Sequence, residues 1–158
     1  MGGQRGGRGA TASVVLPVSA ERAWALVADV RNHVRWIPLT RIDAAPSLGV
    51  GDRFTAVSGP GALCGSPGLV DRMVVERTDA PDTGTGTAGV AVYRKLGPVL
   101  LGTASVRVEP RGPASCRIVW AEDVHLRGLP ARVTAPVLAA PAGLMLRGAL
   151  RAIRRELA

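Results

Sequence analysis

The chain has 158 residues, 47% of them hydrophobic, which fits one domain with a sizeable core. Its formal charge is +8, yet the basic residues are scattered, no aromatics interleave with them and no nucleic-acid motif is present, which argues against a nucleic-acid partner. The longest uncharged apolar run, 133–146, falls short of the roughly 20 residues that a membrane span needs.

Residues 1–10 are Gly and Arg with no apolar anchor and read as a disordered tail ahead of one domain over 11–158. Lacking an apolar stretch, this start does not read as a secretory signal. Residues 11–18 are β-branched and apolar, with Val14, Leu16 and Val18 on one face, and predict a strand ending near Pro17. Ser19 is a good N-cap for a short helix carrying Ala23, Trp24, Leu26 and Val27. Asp29 opens a second short helix that Ile37-Pro38 stops. Strands follow over 39–44 and 52–58. The Gly- and Pro-dense stretch 59–68 predicts a mobile loop without a regular element. Further strands are expected over 69–78, 88–95, 99–109 and 115–126, separated by turn residues such as Gly97-Pro98 and 110–113. The last quarter, 131–157, is a helix, with Leu146, Leu150, Ile153 and Leu157 on one stripe and Arg147, Arg151, Arg154 and Arg155 on the adjoining arc. Pro136 and Pro141 should delay its start or kink it.

One strand, two short helices, six strands and a long helix is an α+β order. Short turns between consecutive strands require antiparallel pairing, so the expected architecture is a seven-stranded antiparallel sheet around the C-terminal helix.

This order, read with its local residues, resembles the START-like superfamily known as SRPBCC, the helix-grip fold of polyketide cyclases and Bet v 1-type lipid binders. The resemblance runs through Val14-Val15-Leu16-Pro17-Val18-Ser19-Ala20-Glu21-Arg22-Ala23-Trp24, Asp29 and Trp36-Ile37-Pro38. It continues in Gly51-Asp52-Arg53-Phe54, Asp71-Arg72-Met73-Val74-Val75 and Arg117-Ile118-Val119-Trp120-Ala121-Glu122-Asp123, covering about 12–157. The resemblance implies a cavity between sheet and helix for an apolar or amphipathic ligand. It does not specify an activity, because function follows the site and not the fold.

The candidate ligand-binding residues are Trp36, Phe54, Met73, Tyr93, Arg94 and Trp120. Trp36 either lines the pocket near its mouth or is a core hinge residue. Tyr93 and Arg94 point to opposite faces, so only one enters a cavity: a phenol donor on an apolar body, or a cation for an anionic head. Asp71, Tyr93, Glu122 and His125 are the candidate catalytic residues. Asp71 shares a face with Leu69 and Met73, where desolvation would raise its pKa and fit it for proton transfer; alternatively it is wet or paired with an arginine. Trp120 and Glu122 share one face of their strand, Asp123 and His125 the other. His125 is a general base near neutral pH, or, like His33, a surface or satisfied structural histidine. No His or Cys stands at ligand spacing, so no metal site is expected, and no phosphate loop or dinucleotide fingerprint calls for a cofactor.

The leading expectation is therefore a module binding an apolar or amphipathic, lipid- or polyketide-like small molecule. The alternatives are a polyketide cyclase or aromatase using cavity acid and base groups, and a peripheral carrier that approaches anionic lipid through its basic helix. A monomer or homodimer fits equally. Cys64 and Cys116, without a signal peptide, read as reduced thiols of a cytoplasmic protein, and the bias to Arg, Ala and Gly as the coding bias of a high-GC bacterial genome.

Overall fold

The computed structural model describes residues 9–158, and the period-two segments form seven strands in it. They are β1 (Ala10–Leu16), β2 (Thr40–Asp43), β3 (Arg53–Ser58), β4 (Leu69–Asp79), β5 (Gly89–Pro98), β6 (Leu100–Pro110) and β7 (Cys116–Leu126). They pair into one sheet in the order β1-β7-β6-β5-β4-β3-β2, antiparallel throughout. From β2 to β7 each strand lies beside its sequence neighbour, as short turns demand. β1 alone is displaced. Helix α1 (Ala20–Val27) and a 3-10 helix (Val30–Arg35) carry the chain from β1 at one edge to β2 at the other.

Helix α2 (Ala131–Leu157) packs on β1 and β7. Its Leu146, Ala149, Leu150 and Ile153 are buried with Leu16, Val106, Val108 and Ile118. This is the expected helix-grip arrangement, a curled sheet holding one long helix. α2 is long and apolar enough to cross a membrane by length and composition, but that stripe is committed to the core. Val133, Val137 and Leu144 on its opposite side stay exposed.

Several expectations change in detail. Residues 1–8 of the expected tail lie outside the described residues, while Ala10 already belongs to β1 and faces Glu122 across the sheet. The second short helix lies where expected and is of 3-10 type; Asp29 caps it by accepting from the Arg31 amide at 3.0 Å. The loop over 59–68 holds a 3-10 turn (Ala62–Cys64) in spite of its glycines and prolines. Ala62 is fully buried there, and Arg41 donates to its carbonyl at 3.2 Å, so the segment is tied down. β5 runs three residues beyond the expected 88–95, because Gly97 and Pro98 still pair with Arg72 and Asp71 of β4. Finally, α2 begins at Ala131 with both prolines inside it. Pro136 and Pro141 are exposed, so the carbonyls that they leave unbonded one turn earlier have access to water, which softens the usual penalty.

The core divides in two. One cluster joins α2, α1, β1, β6 and β7. The other lies on β3 to β6 and contains Phe54, Met73, Val75, Tyr93 and Ala104. The side chains of α2 do not close the space between them.

Candidate functional site

That space is a cavity of about 310 Å³. Phe54 and Ala56 of β3, Met73 of β4 and Tyr93 of β5 supply its far wall. Trp120 and Val124 of β7 form the near wall, and Leu138, Ala142 and Met145 of α2 the roof. His33 and Ile37 close the side next to the 3-10 helix. The lining is overwhelmingly apolar. Strand alternation explains the composition: residues directly opposite one another across a pair share a face, and Tyr93–Ala104–Glu122 and Lys95–Gly102–Val124 are two such rows across β5, β6 and β7.

Three charged side chains meet in this lining. Lys95 is 5% exposed and donates to Asp71 Oδ2 of the neighbouring strand. Glu122 Oε2 lies 3.5 Å from Lys95 Nζ on the other side. Lys95 reaches Glu122 across β6, which places only Gly102 and Ala104 in between. Burial alone opposes the lysine charge, but the Glu122 and Asp71 carboxylates outweigh it and hold its pKa above the ordinary value. For Glu122, burial pushes the carboxyl up. Lys95 pulls the other way and Asp71 adds to the rise, and the net direction is upward. Asp71 Oδ1 is buried with no hydrogen-bond partner.

Tyr93 packs edge-on against Phe54, centroids 5.4 Å apart, and burial followed by the charge of Asp29 raises its phenol to about 12. It is a neutral donor at any ordinary pH. His33 is buried, its Nε2 2.9 Å from the Val27 carbonyl. A carbonyl only accepts, so Nε2 carries the proton and Nδ1 is the lone-pair site. Burial lowers the His33 pKa, which keeps the ring neutral, and the ring lies 4.9 Å from that of Trp120.

Of the residues singled out from the sequence, Phe54, Asp71, Met73, Tyr93, Trp120 and Glu122 therefore line one cavity. Three others lie elsewhere. Trp36 is buried beside it and donates through Nε1 to Glu156 Oε2 at 2.9 Å, which ties the 3-10 helix to the end of α2. Arg94 lies on the outer face, paired with Glu76 at 2.5 Å. His125 is half-buried on the face opposite Trp120 and Glu122 and is absent from the lining. Asp71 is paired, though with Lys95 and not with an arginine. Sequence reasoning passed over Lys95. Two signals marked it: it is the only lysine beside 19 arginines, and it stands two residues after Tyr93, hence on the same strand face. Among the described residues no group of three or more His, Cys, Asp or Glu is placed to hold a metal ion.

Residues 8–158 match the family model described as polyketide cyclase / dehydrase and lipid transport. No curated protein matches the chain. Similar solved structures include the Zhui aromatase/cyclase of a Streptomyces species, 18% identical with a TM-score of 0.63 over 93% of this chain and 91% of that one. A hypothetical protein of Helicobacter pylori is 15% identical with a TM-score of 0.70 over 94% and 87%. The di-domain aromatase/cyclase BexL of the BE-7585A biosynthetic pathway is 16% identical with a TM-score of 0.61 over 92% of this chain and 45% of that one. At these identities the likeness establishes the fold.

Proposed function

The chain belongs to the polyketide cyclase/dehydrase and lipid transport family, and from that membership and the cavity we propose that it binds one apolar or amphipathic small molecule between the sheet and α2. The observation that carries this reading is the cavity. At about 310 Å³ it falls within the range of small-molecule sites. Its wall is aliphatic and aromatic with a few convergent polar groups, the usual make-up of such a site. A core built for stability alone would close such a void, since empty apolar volume costs free energy in proportion to its size. The test is native mass spectrometry of the protein purified from its source, together with titration of an apolar fluorescent probe. A retained small molecule, or saturable binding at one site, is expected; a protein that holds neither probe nor lipid would end this reading.

A second reading, acid–base catalysis on the bound molecule, has one specific observation in its favour. Glu122, whose carboxyl is pushed toward keeping its proton, lies within one lysine of Asp71. A carboxyl pushed toward keeping its proton inside an apolar cavity is the kind of group that serves as a general acid. Incubation with a β-hydroxy ketone and product analysis tests it: turnover that Glu122→Gln abolishes is expected, and an inert wild-type protein would remove it.

A further inference from the structure

The polar cluster in the cavity constrains the head of the ligand, an inference that rests on the binding reading above. Two carboxyls, Asp71 and Glu122, face one ammonium, Lys95. All three sit in an apolar lining where charges are poorly screened. A ligand carboxylate brought here would add a third acidic group to a cluster that already has one more acid than base. That deepens an uncompensated buried charge, which is the costly outcome in such a site.

The hydrogen-bonding inventory leaves a different opening. A lysine ammonium has three donors. Asp71 Oδ2 takes one, Glu122 Oε2 is at 3.5 Å, the long limit, and the remaining neighbour is the weakly accepting Met73 sulfur at 3.9 Å. Lys95 is thus under-supplied with acceptors although it is almost wholly out of water. A carbonyl or hydroxyl oxygen satisfies it without changing the net charge.

The geometry points to a ligand whose inner end is an uncharged oxygen function, a ketone or an alcohol, accepting from Lys95, with carboxylate-headed molecules disfavoured. The experiment uses three probes with the same ten-carbon chain: 1-decanol, 2-decanone and decanoate. Each displaces an apolar fluorescent reporter from the wild-type protein at pH 8. The alcohol and the ketone should bind at least about tenfold more tightly than decanoate. In Asp71→Asn/Glu122→Gln the lysine loses both acids and the order should invert, with decanoate now binding more tightly and raising the melting temperature more than decanol does. The wild-type ranking stands as a test even where that double variant folds poorly. Decanoate binding as well as decanol, or an order unchanged in the folded double variant, overturns the assignment of the head while leaving the cavity reading intact. Failure of all three probes and of the reporter itself would overturn both.

Discussion

Replacing Lys95 by Met tests whether the cavity cluster is electrostatically closed on itself. Methionine has a similar length and suits the apolar wall, so the change removes the charge while creating little void. It leaves Asp71 and Glu122, whose side chains are 13% and 11% exposed, facing each other with no cation. Breaking a buried pair by removing one partner costs about 3–5 kcal/mol. In a chain of this length each kcal/mol moves the melting temperature by roughly 2–4 °C, so the expected loss is about 6–20 °C at pH 8. The loss should depend on pH with a definite sign. The folded pKa of Glu122 is already raised above its ordinary 4.5. Its contribution to stability is therefore fully present below 4.5 and is lost as the pH rises through the folded value. Lys95 is the group that holds that value down, so its removal pushes the folded pKa further up and enlarges the penalty on the alkaline side. The gap between wild type and Lys95→Met should be smallest near pH 4.5 and widest at pH 8. The triple variant Lys95→Met/Asp71→Asn/Glu122→Gln, with no charge left to bury, should recover most of the loss. The assay is a thermal melt at both pH values. A single variant that melts within about 2 °C of wild type at pH 8 would refute the argument, as would a gap that widens on acidification.

Leu150→Asp should destabilise the domain by several kcal/mol, because Leu150 is 3% exposed within the α2 stripe; an unchanged melting temperature would show that the stripe is not core. Met73→Trp should fill the cavity and weaken an apolar probe about tenfold or more while the far-ultraviolet spectrum stays native; undiminished binding would place the probe elsewhere. Cys64 is exposed and Cys116 fully buried, and both are free. A thiol reagent should label one cysteine in the native protein and two after denaturation without reductant, and two missing thiols would contradict the structure. Trp36→Phe should cost about 1 kcal/mol, since the change removes one of the two donors, Trp36 Nε1 and Arg35, that bond Glu156; a melt within error of wild type would show that contact to be dispensable.

How far the sequence could be read depended on the range of the interaction involved. Alternation over β4 to β7 and the leucine stripe of α2 were visible because burial imposes a short period on the chain. The Ser19 cap, which accepts from Arg22 at 3.2 Å, was visible because it is completed within one turn. The same local rules failed at the prolines of α2 and in the turn Ala62–Cys64. Exposure in one case and anchoring by the distant Arg41 in the other decide the outcome, and neither is written nearby.

The site shows the same division. Alternation alone assigned Phe54, Asp71, Met73, Tyr93, Trp120 and Glu122 each to a strand face shared with other candidates or apolar residues, and it set Tyr93 and Arg94 on opposite sides. It could not say which side was the cavity, because a period of two is unchanged when both faces are exchanged. The position of α2 makes that choice, and with it Lys95 goes inward and Arg94 and His125 do not. Strand order then brings Asp71, Lys95 and Glu122 together from β4, β5 and β7, across 24 residues in one contact and 27 in the other. What the sequence by itself determined was the set of elements and the two faces of each, since these follow from neighbours along the chain. The meeting of three charges in an apolar cavity was decided only in the tertiary structure, because charge pairing depends on distance through space, and the sheet sets that distance.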